Sequence, residues 1–521
     1  MDMLIHKLKI NNFFYQLFYI ALCGSLFVLS FPPFNNVLCV ILSVCGISYL
    51  ILQSNNYKTL LCQALVLSFS ISFIGCYWIS YSSYYVVYNF FLAQLILIGF
   101  GFLYTIFLLP TFLLIFLTKN HKTYVVLIST WVAWCMFDVC KLYLLGGFPW
   151  FMVASIWDFD IYMLQIASIV GEIGLSIITY GLLILCFGLL LNLSIKVKII
   201  FVIMLCVIIF ICHCLGYYII KKFDSNNNFN TTSIRLVQPN INQMDKQNFY
   251  KQNENFNKIV ELAFSNISYN KKNIDYIVLP EVAFNIVLED NKNLFNKLLQ
   301  SIPQNSYLLT GTLREENNSF YNSFYILKRQ ETHKYKVDNF YDKLLLVPFG
   351  EYIPLSKMLP FINNFVGLSN LQSGDEQKIF NVKNHKFSVL ICFEGVFPNK
   401  LNSSQIDWLL NISNEAWFNR SIEFKQNNSL LRFRSIEGGI PLVKVANTGE
   451  SIVLDALGRI TNRINPYTAQ VLDIDLQLRK KNVVFSLLIH NFLLYCIIFM
   501  YIIIYLMLFI YNNKDFSYKK K

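Results

Sequence analysis

Charge is spread along this chain in two regimes, and that pattern constrains the fold more than any single motif. Residues 1–220 and 483–512 carry almost no Asp, Glu, Lys or Arg, whereas residues 221–482 hold most of them. The chain is 14% charged, against roughly 25% for a soluble globular chain. A bilayer core needs about 20 apolar residues per crossing helix. Runs of that kind lie near 12–30, 36–53, 59–80, 90–117, 123–140, 161–191, 199–220 and 484–511. The expected architecture is a bundle of about eight transmembrane helices with one large polar domain inserted before the last. Its parts are residues 1–222 (seven helices), 223–482 (the polar domain) and 483–521 (the last helix and a basic tail). The first run follows Lys7 and Lys9 as a signal peptide would, but it has no A-x-A site and is read as an uncleaved anchor.

Orientation follows from the short loops, where Lys and Arg favour the cytoplasmic side. One set of ends carries Lys7 and Lys9, Lys58, Lys119 and Lys122, then Lys196 and Lys198, and the tail adds Lys514, Lys519, Lys520 and Lys521. The alternate loops are nearly bare of basic residues; Lys141 is the exception. Both termini are therefore expected in the cytoplasm and residues 221–482 outside, which in a bacterium is the periplasm. The net charge of +12 is mostly this topology signal. No clustered basic face with base-reading motifs accompanies it, so nucleic acid is not an expected partner.

Twelve of the 13 cysteines fall in apolar segments, where they read as small fillers. Cys392 is the only one between Lys221 and Asn482. An outward domain meets an oxidising compartment, where structural cysteines pair, and Cys392 has no partner within its domain. No CxxC pair is present, and no metal is expected.

Within the polar domain, strands and helices alternate. "IRLVQPNI", "IDYIVLPE", "SYLLTGT", "NSFYILK", "FSVLICFEG" and "IDWLLNIS" read as strands, and "FYKQNENFNKIVELAF" as a helix with Phe256, Ile259, Val260 and Ala263 on one face. "FKQNNSLLRFRSIEGG" is a helix that ends at two glycines. Near-continuously apolar strands predict sheets covered by helices, an α/β layered domain.

Three strand ends carry reactive groups: Glu281, Lys343 and Cys392. The thiolate, not the thiol, is the nucleophile. Glu281 is positioned in sequence to take the thiol proton and return it to a leaving group. A lysine nearby is expected to lower the thiol pKa and to stabilise an oxyanion, with the backbone N–H of Phe393 as a second donor.

The stretches "IVLPEVAF", "YDKLLLVPFGEYIPL", "ICFEGVFP" and "LLNISNEAWF" resemble the nitrilase superfamily, whose catalytic set is Glu, Lys and Cys. Joined to membrane spans on both sides, and with "GGFPWFMVA" and "RSIEGGIPLVKVANTGESIVLDALGRI", the chain resembles the apolipoprotein N-acyltransferase family from about residue 15 to 511. The resemblance implies an α-β-β-α sandwich for 223–482. It implies Glu281 as general base, Lys343 as electrostatic stabiliser and Cys392 as nucleophile. Glu351 in "FGEY" matches a second glutamate that supports the lysine and cysteine, Glu394 matches the glutamate of the Cys motif, and Trp150 in "GFPW" matches an aromatic near the substrate cavity. It also implies a phospholipid acyl donor, a diacylglyceryl-modified apolipoprotein acceptor, no cofactor and a monomer. Phe393 stands where the family usually has tyrosine, Pro239 where it has glycine, and Gln247 where it has tryptophan. The alternatives are a membrane-anchored amidohydrolase with water as acceptor, a transporter built around the intramembrane acids Asp138 and Glu172, and a Cys-His protease using His333 or His385.

Overall fold

The computed structural model describes residues 12–225, 229–265, 274–329, 337, 339–348, 350–352, 371–398, 405–483 and 487–518. Lys7, Lys9, Lys519–Lys521, His333 and the "IPL" that ends "YDKLLLVPFGEYIPL" lie outside the described residues. The chain divides into two compact units. The first comprises Met1–Tyr77, Gln94–Phe223 and Val483–Lys521; the second comprises Trp78–Ala93 and Asp224–Asn482.

The first unit is helical. Among the described residues six helices are long and apolar enough to cross a membrane, and shorter apolar helices occupy Phe13–Leu29 and Val37–Leu52. Asn12, Asn36 and Asn56 cap the first three, each accepting a backbone N–H from the opening turn, which satisfies donors the helix cannot pair internally. Two expected spans are shorter than the apolar runs that announced them. The run 59–80 is helical only to Gly75, and a separate helix that belongs to the second unit, Trp78–Val87, follows. The run 161–191 opens with a single turn, Ile161–Leu164, before the helix Ala167–Leu190, whose Gly171 sits at φ 73°. Hydropathy registers solvent preference, whereas helix ends are set by local backbone and packing.

Between Tyr143 and Ile161 the chain is a string of 3₁₀ turns rather than a span. Its backbone polar groups are met by buried side chains: the Val153 N–H donates to Asp138 at 3.1 Å, that of Ala154 to Ser176 at 3.3 Å, and Lys141 donates to the Phe151 carbonyl. Asp138 and Lys141 pair at 2.8 Å. Buried backbone polar groups outside regular helices need such partners.

The second unit is a four-layer sandwich. One sheet has the order β13-β1-β2-β4-β5-β6, with β3 paired to β4; the other has the order β12-β11-β10-β9-β8-β7. The strands are β1 (Thr231–Gln238), β2 (Tyr276–Val278), β3 (Phe284–Val287), β4 (Tyr307–Glu316), β5 (Ser319–Lys328), β6 (Phe340–Asp342), β7 (Ile379–Val382), β8 (His385–Ile391), β9 (Trp408–Ser413), β10 (Leu442–Ala446), β11 (Ser451–Leu454), β12 (Ile460–Ile464) and β13 (Gln470–Gln477). Alternate residues of both sheets, among them Leu236, Val278, Phe324, Val389, Trp408 and Val443, form the central core. The helices Gln252–Phe264 and Lys292–Ser301 cover the first sheet, and the helix Glu423–Gly438 covers the second. Phe256, Ile259, Val260 and Ala263 are the buried face of Gln252–Phe264, as the spacing predicts. Burying such a side chain contributes about 1.5–3 kcal/mol for the larger ones. The strand β13 had no counterpart in the sequence reading; it pairs antiparallel with all eight residues of β1 and caps that sheet.

Candidate active site

In each sheet the parallel strands deliver their ends to one side. The first sheet runs β1, β2 and β4 in parallel, and the second runs β8, β9 and β10 in parallel. Glu281 follows β2 and Cys392 follows β8 directly. Lys343 follows β6, the last strand of the first sheet.

Lys343 is the hub. Its buried ammonium donates to Glu281 Oε1 at 3.1 Å and to Glu351 Oε1 at 2.9 Å. The Asn322 amide, reaching from β5, donates to the same two oxygens at 2.8 Å each. The Val347 N–H donates to Glu351 Oε2 at 2.8 Å. Two carboxylates are thereby held beside one cation, each through its Oε1. The backbone is fixed as well: the Lys343 N–H donates to the Asn322 carbonyl at 2.9 Å.

Burial pushes the Glu281 carboxyl up, but the Lys343 ammonium, the Asn322 amide and Lys246 together outweigh it and hold the group below the usual carboxylate range. Burial disfavours the Lys343 charge, yet Glu281, Glu351 and Cys392 raise its pKa well above the ordinary value. Lys343 lowers the Cys392 thiol as expected, but the net shift is upward. Burial raises the thiol, the Glu281 charge raises it further, and Glu415 and Glu423 add to this; Lys343 lowers it but does not prevail. Burial and the nearby carboxylates together outweigh the lysine, so the resting sulfur keeps its proton.

Cys392 itself has φ 50°, a left-handed conformation costly for a residue with a Cβ. Glu394 holds this turn. Its buried carboxylate accepts from Ile391 N at 2.7 Å through Oε2, and through Oε1 from the Tyr341 hydroxyl at 2.7 Å and from Leu344 N and Leu345 N at 2.7 and 3.2 Å. One side chain thus ties the residue before the thiol to the two residues after Lys343. The Asn411 amide adds bonds to the carbonyls of Leu390 and Cys392 at 3.0 and 3.3 Å.

The structure therefore brings Glu281, Lys343, Glu351, Cys392 and Glu394 into one electrostatic and hydrogen-bonded group. Phe393 packs edge-to-face on Phe397 with ring centroids 5.0 Å apart. Trp150 belongs to the first unit, where it is buried and stacks on Phe148 at 4.7 Å. Gln247 accepts from the Tyr88 hydroxyl at 3.1 Å, both within the second unit. Sequence reasoning missed Asn322, Tyr341 and Lys246. An asparagine in the otherwise apolar strand "NSFYILK" was a readable signal, because a buried amide needs partners. Nothing in "QMDKQ" singles out Lys246. It is buried, its Nζ donates to the Glu281 carbonyl at 3.1 Å, and burial, partly offset by Glu281, Cys392 and Glu415, brings its pKa down to about 8. Among the described residues no group of His, Cys, Asp and Glu is arranged to hold a metal ion.

A carboxyl held ionised, a thiol held protonated and a fixed ammonium between acids suit covalent acyl chemistry: the base is ready before the nucleophile is charged. Comparison with known proteins points to the same chemistry. The carbon–nitrogen hydrolase family matches residues 233–481, and the apolipoprotein N-acyltransferase N-terminal domain matches residues 23–185. The apolipoprotein N-acyltransferase of Rickettsia prowazekii is 29% identical over 80% of this chain and 83% of its own length. That of Wigglesworthia glossinidia brevipalpis is 28% identical over 85% and 88%, and that of Rhizobium rhizogenes 32% identical over 44% and 45%. Because both domain types occur in the same order along one chain, and relatives of that name align over most of it, the chain belongs to the apolipoprotein N-acyltransferase family.

Proposed function

We propose that this chain transfers an acyl group from a membrane phospholipid to the α-amino group of a diacylglyceryl-cysteine at the N-terminus of an apolipoprotein, through a thioester on Cys392. The observation that carries the reading is the Glu281–Lys343–Glu351 network next to a strained cysteine turn, in a chain whose membrane helices match the N-terminal domain of that family. In the first half-reaction Glu281 takes the Cys392 proton as sulfur attacks the ester carbonyl. The carbonyl oxygen becomes an oxyanion near the Lys343 ammonium. The C–O bond breaks, Glu281 returns the proton to the departing glyceryl oxygen, and a lysophospholipid leaves. In the second, the free amine attacks the thioester, Glu281 takes a proton from nitrogen, the C–S bond breaks, and the thiol is restored.

Both substrates carry long chains, and exposing each buried CH₂ to water costs about 0.8 kcal/mol. Membrane helices on both sides of the catalytic domain remove that cost by keeping the chemistry at the bilayer. In this reading residues 1–222 form the anchoring bundle, 223–482 the periplasmic catalytic domain and 483–521 the last span and cytoplasmic tail. Both termini are cytoplasmic and the enzyme acts as a monomer.

The test is intact-mass analysis after incubation with phospholipid. Wild type gains one acyl group that hydroxylamine removes and that peptide mapping places on Cys392, and Cys392→Ser gains none. An adduct that persists in the serine variant, or release of free fatty acid with no transfer to a diacylglyceryl-cysteine peptide, overturns the reading.

A further inference from the structure

The turn that presents Glu281 is under strain. Val282 has φ 42°, a conformation that is a genuine outlier for a β-branched residue. The same turn is pressed against β4. A Cβ at Gly311 would lie 2.5 Å from Val282 N and 2.7 Å from Glu281 Cα, so only glycine fits there. The Gly311 N–H donates to the Pro280 carbonyl at 3.2 Å, and the Ala283 N–H to the Gly311 carbonyl at 2.8 Å. Those bonds hold the two sides of the turn. Its middle, the Glu281 carbonyl, is held by Lys246 Nζ at 3.1 Å.

Strained backbone persists only where its surroundings over-determine it, and it clusters at functional sites. Lys246 is itself anchored: Asn242 caps its short helix, and the Asn285 amide donates to the Lys246 carbonyl at 3.1 Å. Glu281 is thus gripped twice, by Lys343 at its carboxylate and by Lys246 at its main chain. The titratable groups facing Lys246 are Glu281, Cys392 and Glu415.

We propose that Lys246 is a positioning residue for acyl transfer, whose buried ammonium holds the strained Glu281–Val282 turn and thereby aims the Glu281 carboxylate. The proposal rests on the role given to Glu281 above. Three variants test it: Lys246→Met, Lys246→Arg, and Lys246→Met combined with Val282→Gly. The readout is the rate of Cys392 adduct formation against lipid concentration, using equal phosphatidylethanolamine and phosphatidylglycerol in detergent micelles. Misaiming a reacting group by about 1 Å costs roughly 10²-fold, so Lys246→Met lowers the maximal rate by about that factor with the half-saturating lipid concentration unchanged. Lys246→Arg, which keeps a charged donor, recovers part of the rate. Val282→Gly, which makes the positive φ unstrained, recovers part of it in the Met background. A merely structural lysine predicts a lower melting temperature but no rescue by Val282→Gly. Wild-type rate in Lys246→Met, or no rescue by either second variant in folded protein, overturns the proposal. Absence of any Cys392 adduct in wild type overturns instead the acyl-enzyme reading beneath it.

Discussion

Lys343→Met removes the cation from the centre of the catalytic group and keeps its shape. Lys343 is 1% exposed and lies within 3.1 Å of Glu281 and 2.9 Å of Glu351. Removing one partner of a buried ion pair costs about 3–5 kcal/mol, because the charge left behind has neither water nor partner. In this protein two carboxylates are left, sharing only the Asn322 amide. The sign with pH follows from the native shifts. Glu281 is depressed, so its stabilising contribution is present above the unfolded carboxyl pKa and fades as pH falls through the folded value. Lys343 is raised, so its contribution is present below the unfolded lysine pKa and fades only as pH rises through a still higher folded value. Wild type should therefore show no pH slope from this pair across the neutral range. In Lys343→Met the Glu281 carboxyl loses the largest influence opposing its burial, and its pKa rises. A loss of 3–5 kcal/mol corresponds to about two to four pH units. The variant should be nearly as stable as wild type near pH 5 and lose about 1.4 kcal/mol per pH unit above that until Glu281 ionises. For a unit of this size each kcal/mol is worth about 2–4 °C, so melting followed by tryptophan fluorescence should fall by roughly 6–20 °C at pH 8. Equal melting curves for the two proteins at pH 5 and pH 8 would falsify the charge arrangement.

Glu394→Gln turns one of four accepting positions into a donor facing the Ile391 N–H. An unsatisfied buried donor costs about 1–3 kcal/mol, so melting drops and adduct formation slows; unchanged melting means that Glu394 does not hold the cysteine turn. Asn322→Leu removes one amide shared by two carboxylates. At about 1.5–3 kcal/mol per hydrogen bond to a charged group, it should destabilise by several kcal/mol and shift the acid limb of adduct formation upward in pH, and a variant with the wild-type limb would discount this residue. A cysteine placed at Ser517 should resist a membrane-impermeant thiol reagent on intact spheroplasts and react after lysis; labelling from outside would invert the proposed topology.

Legibility in the sequence tracked how local the responsible physics is. Membrane spans were readable because solvent preference belongs to each residue, yet the helix ends at Gly75 and Ala167 were not, being set by local backbone and packing. The face of Gln252–Phe264 was readable because 3.6-residue periodicity is local. The strand β13 carried a usable alternation, Leu472, Ile474 and Leu476, but its pairing partner lies more than 200 residues away. At the site, Glu281, Lys343 and Cys392 stood out as reactive groups at strand ends. Asn322, Tyr341 and Lys246 did not, since an amide, a phenol and a lysine acquire their roles only from the groups they meet. The expected effect of the lysine on the thiol is present but outweighed. Sequence places a lysine near a cysteine, but only the structure reveals the burial and the Glu281, Glu415 and Glu423 charges that prevail over it.

The thiol is raised and the carboxyl depressed, so in the resting site the proton sits on sulfur and the charge on Glu281. Such a thiol resists oxidation and stray alkylation, which suits the periplasmic location proposed for this domain. In the proposed reaction, Glu281 loses the charge that held Lys343 when it takes the proton, and the ammonium is freed to stabilise the oxyanion formed in the same step. Base, nucleophile and electrostatic stabiliser are then coupled through one proton. Glu281→Gln separates the two halves of this coupling. Without the Glu281 charge, a cause that raises the thiol is gone while Lys343 remains, so Cys392 should ionise more readily. Iodoacetamide labelling of the Cys392 peptide, followed by mass spectrometry between pH 7 and pH 10, should be faster at pH 8 in Glu281→Gln than in wild type. Adduct formation from phospholipid should nevertheless fall by about 10²–10⁴, the usual loss when a general base is removed. A nucleophile that is more reactive towards a simple electrophile yet unable to acylate is the signature of a missing proton carrier. If labelling in Glu281→Gln is as slow as in wild type or slower, the Glu281 charge is not what keeps the proton on sulfur, and the coupling described above does not exist.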